Sequence, residues 1–376
     1  MKNAILTWYH YQNYGTALQA YALQKFLNSS MYETELIKYI PEYKSQNEKK
    51  YIKKINIYIN NRKKKYLNKI IKKKYYKNLE NKSEKFKEFL SKINLTEEEY
   101  NKKNLKELNQ VYDNFIVGSD QIWNPNNIDY TYFLDFVDEN KKKIAYAPSF
   151  GVKQNDYPYQ NNKLKNLLNR FDYISVREED GKDIIKKLIN KSGNIVLDPT
   201  LLLEKKQWDE FVKVDMNKTK YILCYFLGEQ KYYWKYVKKL QKETGLEIRI
   251  IPIQPEAYFK KGTIESEVGP MEFLDLMANA EIICTDSFHG TVFSVIFEKK
   301  FSVLKRFKDN DRKSQNSRIC NLLKLIDLEE FFIDENFEET KFIVNNYEDI
   351  NNILAEKRNE SKTYILDAIN GRKMYE

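Results

Sequence analysis

His289 is one of only two histidines in the chain, and it stands in the segment TDSFHGT between two apolar runs. The first run predicts a strand and the second predicts a helix, so the histidine lies at a strand-to-helix corner. Such a corner offers free backbone N–H groups and the positive end of a helix dipole, which bind anions. An imidazole exchanges protons near neutral pH, and Gly290 lets a ligand approach the backbone. This combination suits a phosphorylated substrate that must release phosphate. The alternative is a structural histidine beside the capping residues Asp286 and Ser287.

Arg177 follows a predicted strand in the segment FDYISVREEDG. Only nine of the 64 basic residues are arginine, so an arginine at a strand end indicates a need for the planar guanidinium. That group forms paired hydrogen bonds with carboxylate or phosphate. An ion pair with the acidic residues 178–180 explains the same arginine equally well. Arg318, at the start of a predicted helix, raises the same question, and there a structural role is favoured.

Polar groups also follow three other predicted strands, in the segments YHYQNYG, VGSDQ and APSFG. Ligands of open parallel sheets bind at the carboxyl ends of the strands. We therefore expect substrate-binding residues at these ends, although each segment also fits an ordinary turn. The residues are Asn13, Gly15, Gly118, Ser119, Asp120, Ser149 and Gly151.

Strands alternate with helices along both halves of the chain, which is typical of parallel sheets covered on both faces. The pattern predicts an α/β protein with two doubly wound, Rossmann-like domains at 1–195 and 196–345. A last helix within 346–376 is expected to pack across them. The first domain carries a charged insertion at 43–108 that is predicted to be mostly helical. A chain of 376 residues is long enough for two such cores.

The positive charge of the chain is concentrated in residues 44–80, which hold 14 basic and 2 acidic residues. The rest of the chain has 50 basic and 52 acidic residues, so it is close to neutral. A solvated helical hairpin is one interpretation. Nucleic-acid binding is disfavoured because the segment has a single arginine and no recognised module. An anionic membrane surface is the third interpretation, at about 1 kcal/mol for each well-placed lysine.

Several classes of protein are disfavoured by the absence of their motifs. The sequence contains no G-x-G-x-x-G, Walker, H-E-x-x-H or C-x-x-C pattern. The three cysteines are scattered, which favours buried thiols in a reducing compartment over disulfides or a zinc site. We therefore expect neither a metal nor a cofactor. No apolar stretch approaches the roughly 18 residues of a membrane span, so we expect a cytoplasmic protein, peripheral at most at the inner face of the membrane.

Taken in order, the segments at these strand ends resemble the polysaccharide pyruvyl transferase family. The resemblance covers nearly the whole chain outside the insertion at 43–108. It depends on the combination of seven segments: NYGTALQAYAL (13–23), FIVGSDQIWN (115–124), YAPSFG (146–151), ISVREEDG (174–181), LDPTLL (197–202), GPMEF (269–273) and TDSFHGTVFSVIF (285–297).

The resemblance implies a two-domain fold like that of the B-type glycosyltransferases (GT-B). It also implies transfer of a pyruvyl group from phosphoenolpyruvate to a sugar or lipid-linked oligosaccharide, forming a cyclic ketal during cell-surface polysaccharide biosynthesis. In this reading Arg177 grips the donor, and His289 is the general acid and base in the donor pocket. Asp120 or Asp286 orients the acceptor or the imidazole. The first domain is then the acceptor side and the second domain the donor side.

One position departs from the family pattern. A branch of the family has arginine two residues before the histidine, where this chain has Ser287, which can bind phosphate but adds no charge. Arg318, Lys305 or Arg306 supplies the missing charge, or this branch uses another donor. A glycosyltransferase that uses a nucleotide sugar on the same fold is therefore one alternative. A non-catalytic protein that binds glycolipid or membrane is another.

Overall fold

The computed structural model describes residues 1–41, 65–154, 157–159, 161–213, 219–308, 311, 314–342 and 347–372, with the backbone alone for 65–76. In this part of the chain the strands form two parallel sheets. The first sheet comprises β1 (Asn3–Leu6), β2 (Thr34–Tyr39), β3 (Leu95–Tyr100), β4 (Asn114–Val117), β5 (Lys142–Ala145), β6 (Tyr173–Val176) and β7 (Asn194–Ile195), in the order β3-β2-β1-β4-β5-β6-β7.

Helices cover both faces of this sheet, which explains why the strands β1 and β4 are apolar and fully buried. These helices are α1 (Tyr14–Ser29), α2 (Lys65–Leu90), α3 (Asn162–Asn169) and α4 (Glu179–Ile189). The strand order reverses between β1 and β4, which pair in parallel at the centre. At such a switch point the loops that leave two neighbouring strands diverge and open a crevice.

The second sheet repeats this architecture. Its strands are β8 (Tyr221–Tyr225), β9 (Glu247–Ile251), β10 (Thr263–Ile264), β11 (Ile282–Thr285), β12 (Lys300–Leu304) and β13 (Phe332–Ile333), in the order β10-β9-β8-β11-β12-β13. The remaining helices are α5 (Lys205–Trp208), α6 (Lys231–Thr244), α7 (Pro270–Asn279), α8 (Phe288–Ile296), α9 (Ser317–Leu325) and α10 (Tyr347–Asn370). The order reverses between β8 and β11, and β11 leads directly into α8.

A continuous apolar core joins the two sheets. Tyr14, in the first turn of α1, stacks on Phe273 of α7 with ring centroids 4.7 Å apart. Helix α2 reaches α7 as well, where Lys85 pairs with Glu272 at 2.9 Å. Helix α10 spans the two sheets, because Tyr347 donates a hydrogen bond to the carbonyl of Lys299, just before β12, and Tyr364 donates one to that of Ala145 in β5. The crevices of the two sheets are thereby held face to face.

The prediction of two doubly wound α/β units is confirmed by these sheets. The expectation that 43–108 is mostly helical is wrong for residues 95–100, which form strand β3 on the edge of the first sheet. The charged sequence LTEEEY lacks the apolar pattern of a strand. An edge strand can do without that pattern, because backbone pairing holds it and few of its side chains are buried. Residues 42–64 lie outside the described part, as do the side chains of 65–76. Among the described residues, no helix is long and apolar enough to cross a membrane.

Candidate functional site

His289 lies in the first turn of α8, directly after strand β11, as the sequence predicts. The Oγ of Ser287 accepts a hydrogen bond from the backbone N–H of Gly290 at 3.3 Å, so Ser287 is the N-cap of this helix. A Cβ on Gly290 would lie 2.3 Å from the Oγ1 of Thr285. Close packing of the helix on its own strand therefore explains this glycine, in place of the ligand approach expected from the sequence.

The imidazole of His289 crosses the cleft and contacts the first domain. A Cβ on Gly15 would lie 2.0 Å from the Nδ1 of His289, so only a glycine leaves room for the ring. Asn13 caps the helix α1 that contains Gly15, since its Oδ1 accepts a hydrogen bond from Thr16 N at 3.3 Å. The N-termini of α1 and α8 therefore converge on the imidazole, and the positive ends of both helix dipoles lie beside it.

Asp198 connects the predicted arginine to the predicted histidine. The Nη1 of Arg177 donates a hydrogen bond to the Oδ2 of Asp198 at 2.5 Å, and the Nε2 of His289 lies 3.5 Å from the same oxygen. Ser119 donates to this oxygen at 3.2 Å, while Thr200 donates to Oδ1 through its backbone N and its Oγ1. Asp198 was not a candidate from sequence, because an Asp-Pro pair after a predicted strand also fits an ordinary turn.

The electrostatics of this group follow from its burial. Burial would raise the pKa of Asp198, but the neighbouring charges of His289 and Arg177 outweigh it, and the pKa is lowered. Burial would likewise lower the pKa of Arg177, but Asp198 and then Glu178 outweigh it and the pKa is raised. The Nε and Nη2 of Arg177 and the Nε2 of His289 are buried and have no hydrogen-bond partner. These are the donors that an anionic ligand would satisfy.

Glu178 holds the loop that follows β5. Its Oε1 accepts hydrogen bonds from the Oγ of Ser149 at 2.7 Å and from the backbone N of Phe150 at 3.1 Å. Ser149 in turn accepts one from Gly151 N at 3.1 Å, and Gly151 adopts a φ of 63°. The predicted residues Ser149 and Gly151 therefore shape the wall next to Arg177, while the Oε2 of Glu178 remains without a hydrogen-bond partner.

Asp120 lies at the carboxyl end of β4, but its carboxylate is directed to helix α1. Its Oδ2 accepts a hydrogen bond from the Oγ1 of Thr16 at 2.5 Å, and its Oδ1 accepts one from Gln121 N at 2.8 Å. Gly118 adopts a φ of 118°, and a Cβ there would lie 1.9 Å from the carbonyl oxygen of Tyr146. The loop after β4 is thus tied to the start of α1, at the switch point of the first sheet.

Asp286 does not join this group in the way the sequence suggested. Its carboxylate accepts hydrogen bonds from Leu227 N at 2.6 Å and from Gly228 N at 2.7 Å. It also accepts from the hydroxyl of Tyr233 at 3.0 Å and from the Nε of Arg306 at 3.2 Å. These donors hold the carboxylate on the loop after β8, so Asp286 positions that loop and Arg306 and does not orient the imidazole.

Arg318 lies near the same Phe288 ring as Arg177. The guanidinium carbon of Arg177 is 4.4 Å from the centre of this ring, and that of Arg318 is 5.9 Å from it. Both arginines line a cavity of about 470 Å³ together with Glu178 and Asp198. Burial, and then repulsion by Arg177, lower the pKa of Arg318 to about 9. The cavity therefore places two guanidinium groups where an anion can bind.

Lys305 and Arg306, the other two cations that could supply the missing charge, lie elsewhere. Arg306 is bound to Asp286, as described above, and the Nζ of Lys305 lies 5.6 Å from the centre of the Phe332 ring. Both border a separate, smaller cavity of about 160 Å³. Among the described residues, no group of three or more His, Cys, Asp or Glu side chains is arranged to hold a metal ion.

The family model for polysaccharide pyruvyl transferase matches residues 13–306. No curated protein matches the chain significantly in sequence.

Solved structures show the fold. The UDP-GlcNAc 2-epimerase of Methanocaldococcus jannaschii, solved with UDP-GlcNAc and UDP, is similar with a TM-score of 0.52 at 15% identity, over 99% of this chain and 100% of that one. The UDP-GlcNAc 2-epimerase of Neisseria meningitidis bound to UDP-GlcNAc gives a TM-score of 0.52 at 12% identity, over 99% and 100% of the two chains. The two-domain GT-B-type fold expected from the sequence is thereby confirmed.

Proposed function

The chain belongs to the polysaccharide pyruvyl transferase family, a family of transferases, and we propose that it moves a pyruvyl group from phosphoenolpyruvate to two hydroxyls of a sugar, forming a cyclic ketal. The observation that carries this proposal is the bridge made by Asp198 between Arg177 and His289. It joins an anion-binding group of the first domain to a proton-transfer group of the second domain within one buried cleft.

The donor requires a site for two anionic groups. Arg177 offers two buried nitrogens, Nε and Nη2, that lack a hydrogen-bond partner. The converging N-termini of α1 and α8 add backbone N–H groups and favourable dipoles. We assign the carboxylate or phosphate of phosphoenolpyruvate to Arg177 and place the other anionic group toward Arg318 and these N-termini. Ser287 adds no charge, and Arg318 is the arginine that lines the same cavity as Arg177.

The reaction requires proton transfer at carbon and at oxygen. A proton added to the methylene carbon of phosphoenolpyruvate leaves a cationic centre at C2. The first sugar hydroxyl then bonds to C2 and loses its proton. Next, the bond between C2 and the phosphate oxygen breaks and phosphate leaves. The second hydroxyl finally bonds to C2 and loses its proton, which closes the ketal. One hydroxyl proton thus replaces the one given to carbon, and the other leaves with phosphate. His289 is the general acid and base in this scheme, a role typically worth about 10²–10⁴ in rate.

The remaining parts of the cleft serve the acceptor. The loops that contain Asp120 and Ser149 lie at the carboxyl ends of β4 and β5, next to Arg177. We propose that they contact a sugar or a lipid-linked oligosaccharide on the cytoplasmic face of the membrane. The basic segment at 44–80 lies almost wholly outside the described side chains, so its contact with an anionic membrane stays a prediction.

Calorimetric titration with phosphoenolpyruvate tests the donor. We expect saturable binding to the wild type, a loss of at least 100-fold in affinity in Arg177→Ala, and normal binding in the control Arg372→Ala, whose side chain is exposed. His289→Ala should retain binding and lose turnover, measured as release of inorganic phosphate. Binding of UDP-sugars with no binding of phosphoenolpyruvate would instead support a glycosyltransferase. Glycolipid binding that survives both substitutions would support a non-catalytic role.

A further inference from the structure

We infer that Glu178 is the second proton-transfer group of this site and that it accepts the proton of a sugar hydroxyl bound beside Arg177. This inference depends on the proposed function. It follows from a comparison between the protons that the reaction must move and the titratable side chains that the cleft provides.

Ketal formation releases two hydroxyl protons for each molecule of phosphoenolpyruvate consumed. One of them replaces the proton that His289 gave to the methylene carbon, and the other leaves with phosphate. The two hydroxyls attack the same carbon at different times, and the second attacks after phosphate has left. A single imidazole would have to serve both hydroxyls from one position. A second base within reach of C2 removes that requirement, since each group then handles one proton.

Three of the carboxylates at the cleft are already occupied by donors. Asp198 accepts hydrogen bonds from Arg177, Ser119 and Thr200. Asp286 is held by the loop after β8, and Asp120 by Thr16 and the backbone of Gln121. In each of these three carboxylates, both oxygens already accept at least one hydrogen bond.

Glu178 differs from them in one respect. Both of its donors, Ser149 Oγ and Phe150 N, bind the same oxygen, Oε1. The other oxygen, Oε2, is buried without a hydrogen-bond partner and lies 3.9 Å from the Nε of Arg177. The residue as a whole is 1% exposed and lines the cavity of about 470 Å³ shared with Arg177.

This arrangement suits a general base, because the carboxylate is held in place by Oε1 while Oε2 accepts no hydrogen bond. The two donors on Oε1 hold the carboxylate in one orientation, in which Oε2 lies 3.9 Å from the unpartnered Nε of Arg177. A substrate whose anionic group is bound by Arg177 brings its C2 close to that oxygen. The acceptor hydroxyl then donates its hydrogen bond to Oε2, and its proton passes to Glu178 as the C2–O bond forms. Glu178 afterwards returns this proton to the departing phosphate.

The test compares Glu178→Gln with the wild type. The amide oxygen of glutamine can accept both hydrogen bonds that hold Oε1, so the loop after β5 is preserved, but an amide cannot take up the proton. Glu107→Gln is the matched control, since Glu107 is an exposed glutamate that does not line this cavity. Affinity for phosphoenolpyruvate is measured by calorimetry. Turnover is measured as phosphate release with a pool of methyl hexopyranosides that carry free diols and a glycolipid extract of the source membranes.

We expect Glu178→Gln to bind phosphoenolpyruvate as tightly as the wild type or more tightly, because a negative charge beside the donor is removed. Its turnover should fall about 10²–10⁴-fold, and that of Glu107→Gln should be unchanged. Glu178→Asp, which keeps the carboxylate, should recover at least ten times the turnover of Glu178→Gln.

Two results would overturn this inference while the proposed function stands. The first is turnover of Glu178→Gln within threefold of the wild type. The second is an equal loss of donor affinity and turnover in Glu178→Gln with no recovery in Glu178→Asp, which would show that Glu178 only supports the loop. A wild type that does not bind phosphoenolpyruvate would overturn the proposed function and the role of Glu178 together.

Discussion

The imidazole of His289, from the second domain, occupies the space in which residue 15 of the first domain would carry a side chain. A Cβ built on Gly15 lies 2.0 Å from Nδ1 and 2.2 Å from Cγ of His289. The two domains are thus in close contact at the candidate catalytic group itself. The position of the imidazole relative to Arg177 and Asp198 therefore depends on how the domains meet.

Gly15→Ala tests this contact. The added methyl group displaces the imidazole or separates the domains, and a displacement of about 1 Å at a catalytic group can cost about 10²-fold in rate. We expect turnover to fall by that factor, while the free energy of unfolding falls by about 1–3 kcal/mol. Gly193→Ala is the control, because a Cβ there meets no atom closer than 3.8 Å. Full activity in Gly15→Ala would show that the imidazole does not need this position.

Asp198→Asn tests the bridge between the arginine and the histidine. The amide keeps the shape of the side chain but removes the charge that stabilises the imidazolium and neutralises Arg177. Turnover should fall about 10²-fold or more. Affinity for phosphoenolpyruvate should fall less, because Arg177 keeps its charge. Steady-state kinetics separate the two effects, and Asp183→Asn, at an exposed position of α4, is the control. A change confined to donor affinity would contradict the positioning role.

The same carboxylate makes the stability of the protein depend on acid pH. The pKa of Asp198 is lowered in the folded protein, so its contribution to stability is present above the unfolded pKa of about 4 and is lost as pH falls below it. The difference in free energy of unfolding between the wild type and Asp198→Asn should therefore shrink by about 1.4 kcal/mol for each pH unit below about 4. Urea denaturation between pH 3 and pH 7 measures this difference. A constant difference would show that the carboxyl has an ordinary pKa.

Asp286→Asn distinguishes a structural carboxylate from a catalytic one. The substitution leaves Arg306 without its charged partner and weakens the hydrogen bonds from the loop after β8. We expect the free energy of unfolding to fall by about 1–3 kcal/mol. Turnover at a temperature where the variant is folded should remain within about tenfold of the wild type. A loss comparable to that of His289→Ala, at unchanged stability, would restore Asp286 to the catalytic group.

Arg318→Met tests whether the charge of Arg318 lowers the stability of the protein while it favours binding of the donor. Burial, and then repulsion by Arg177, lower the pKa of Arg318 to about 9, so the charge is unfavourable in the protein without ligand. Methionine fills a similar space without that charge, although it loses the hydrogen bond to Gln315. We expect the free energy of unfolding to rise by about 1 kcal/mol and affinity for phosphoenolpyruvate to fall at least tenfold. The exposed control Arg372→Met should change neither, and a variant that binds the donor normally would exclude Arg318 from the site.

Much of the architecture was predictable from periodicity and strand ends. The alternation of strands and helices predicted parallel sheets, and the apolar runs AIL (4–6) and FIV (115–117) are fully buried in such a sheet. The polar segment after β11 predicted His289 at a strand-to-helix corner, and this placement depends only on local preferences for strand, cap and helix. Strand β3 escaped prediction because pairing at a sheet edge uses backbone groups and leaves little pattern in the side chains.

The sequence by itself therefore determined the elements and the strand ends at which reactive side chains stand, because both follow from interactions between residues that are near in the chain. Only the tertiary structure decided which of those side chains meet. Asp198 bridges Arg177 and His289, residues 21 and 91 positions away, while Asp286, three residues before His289, is bound to the loop of Gly228. A carboxylate binds the donors that packing brings to it, and sequence distance carries no information about that packing.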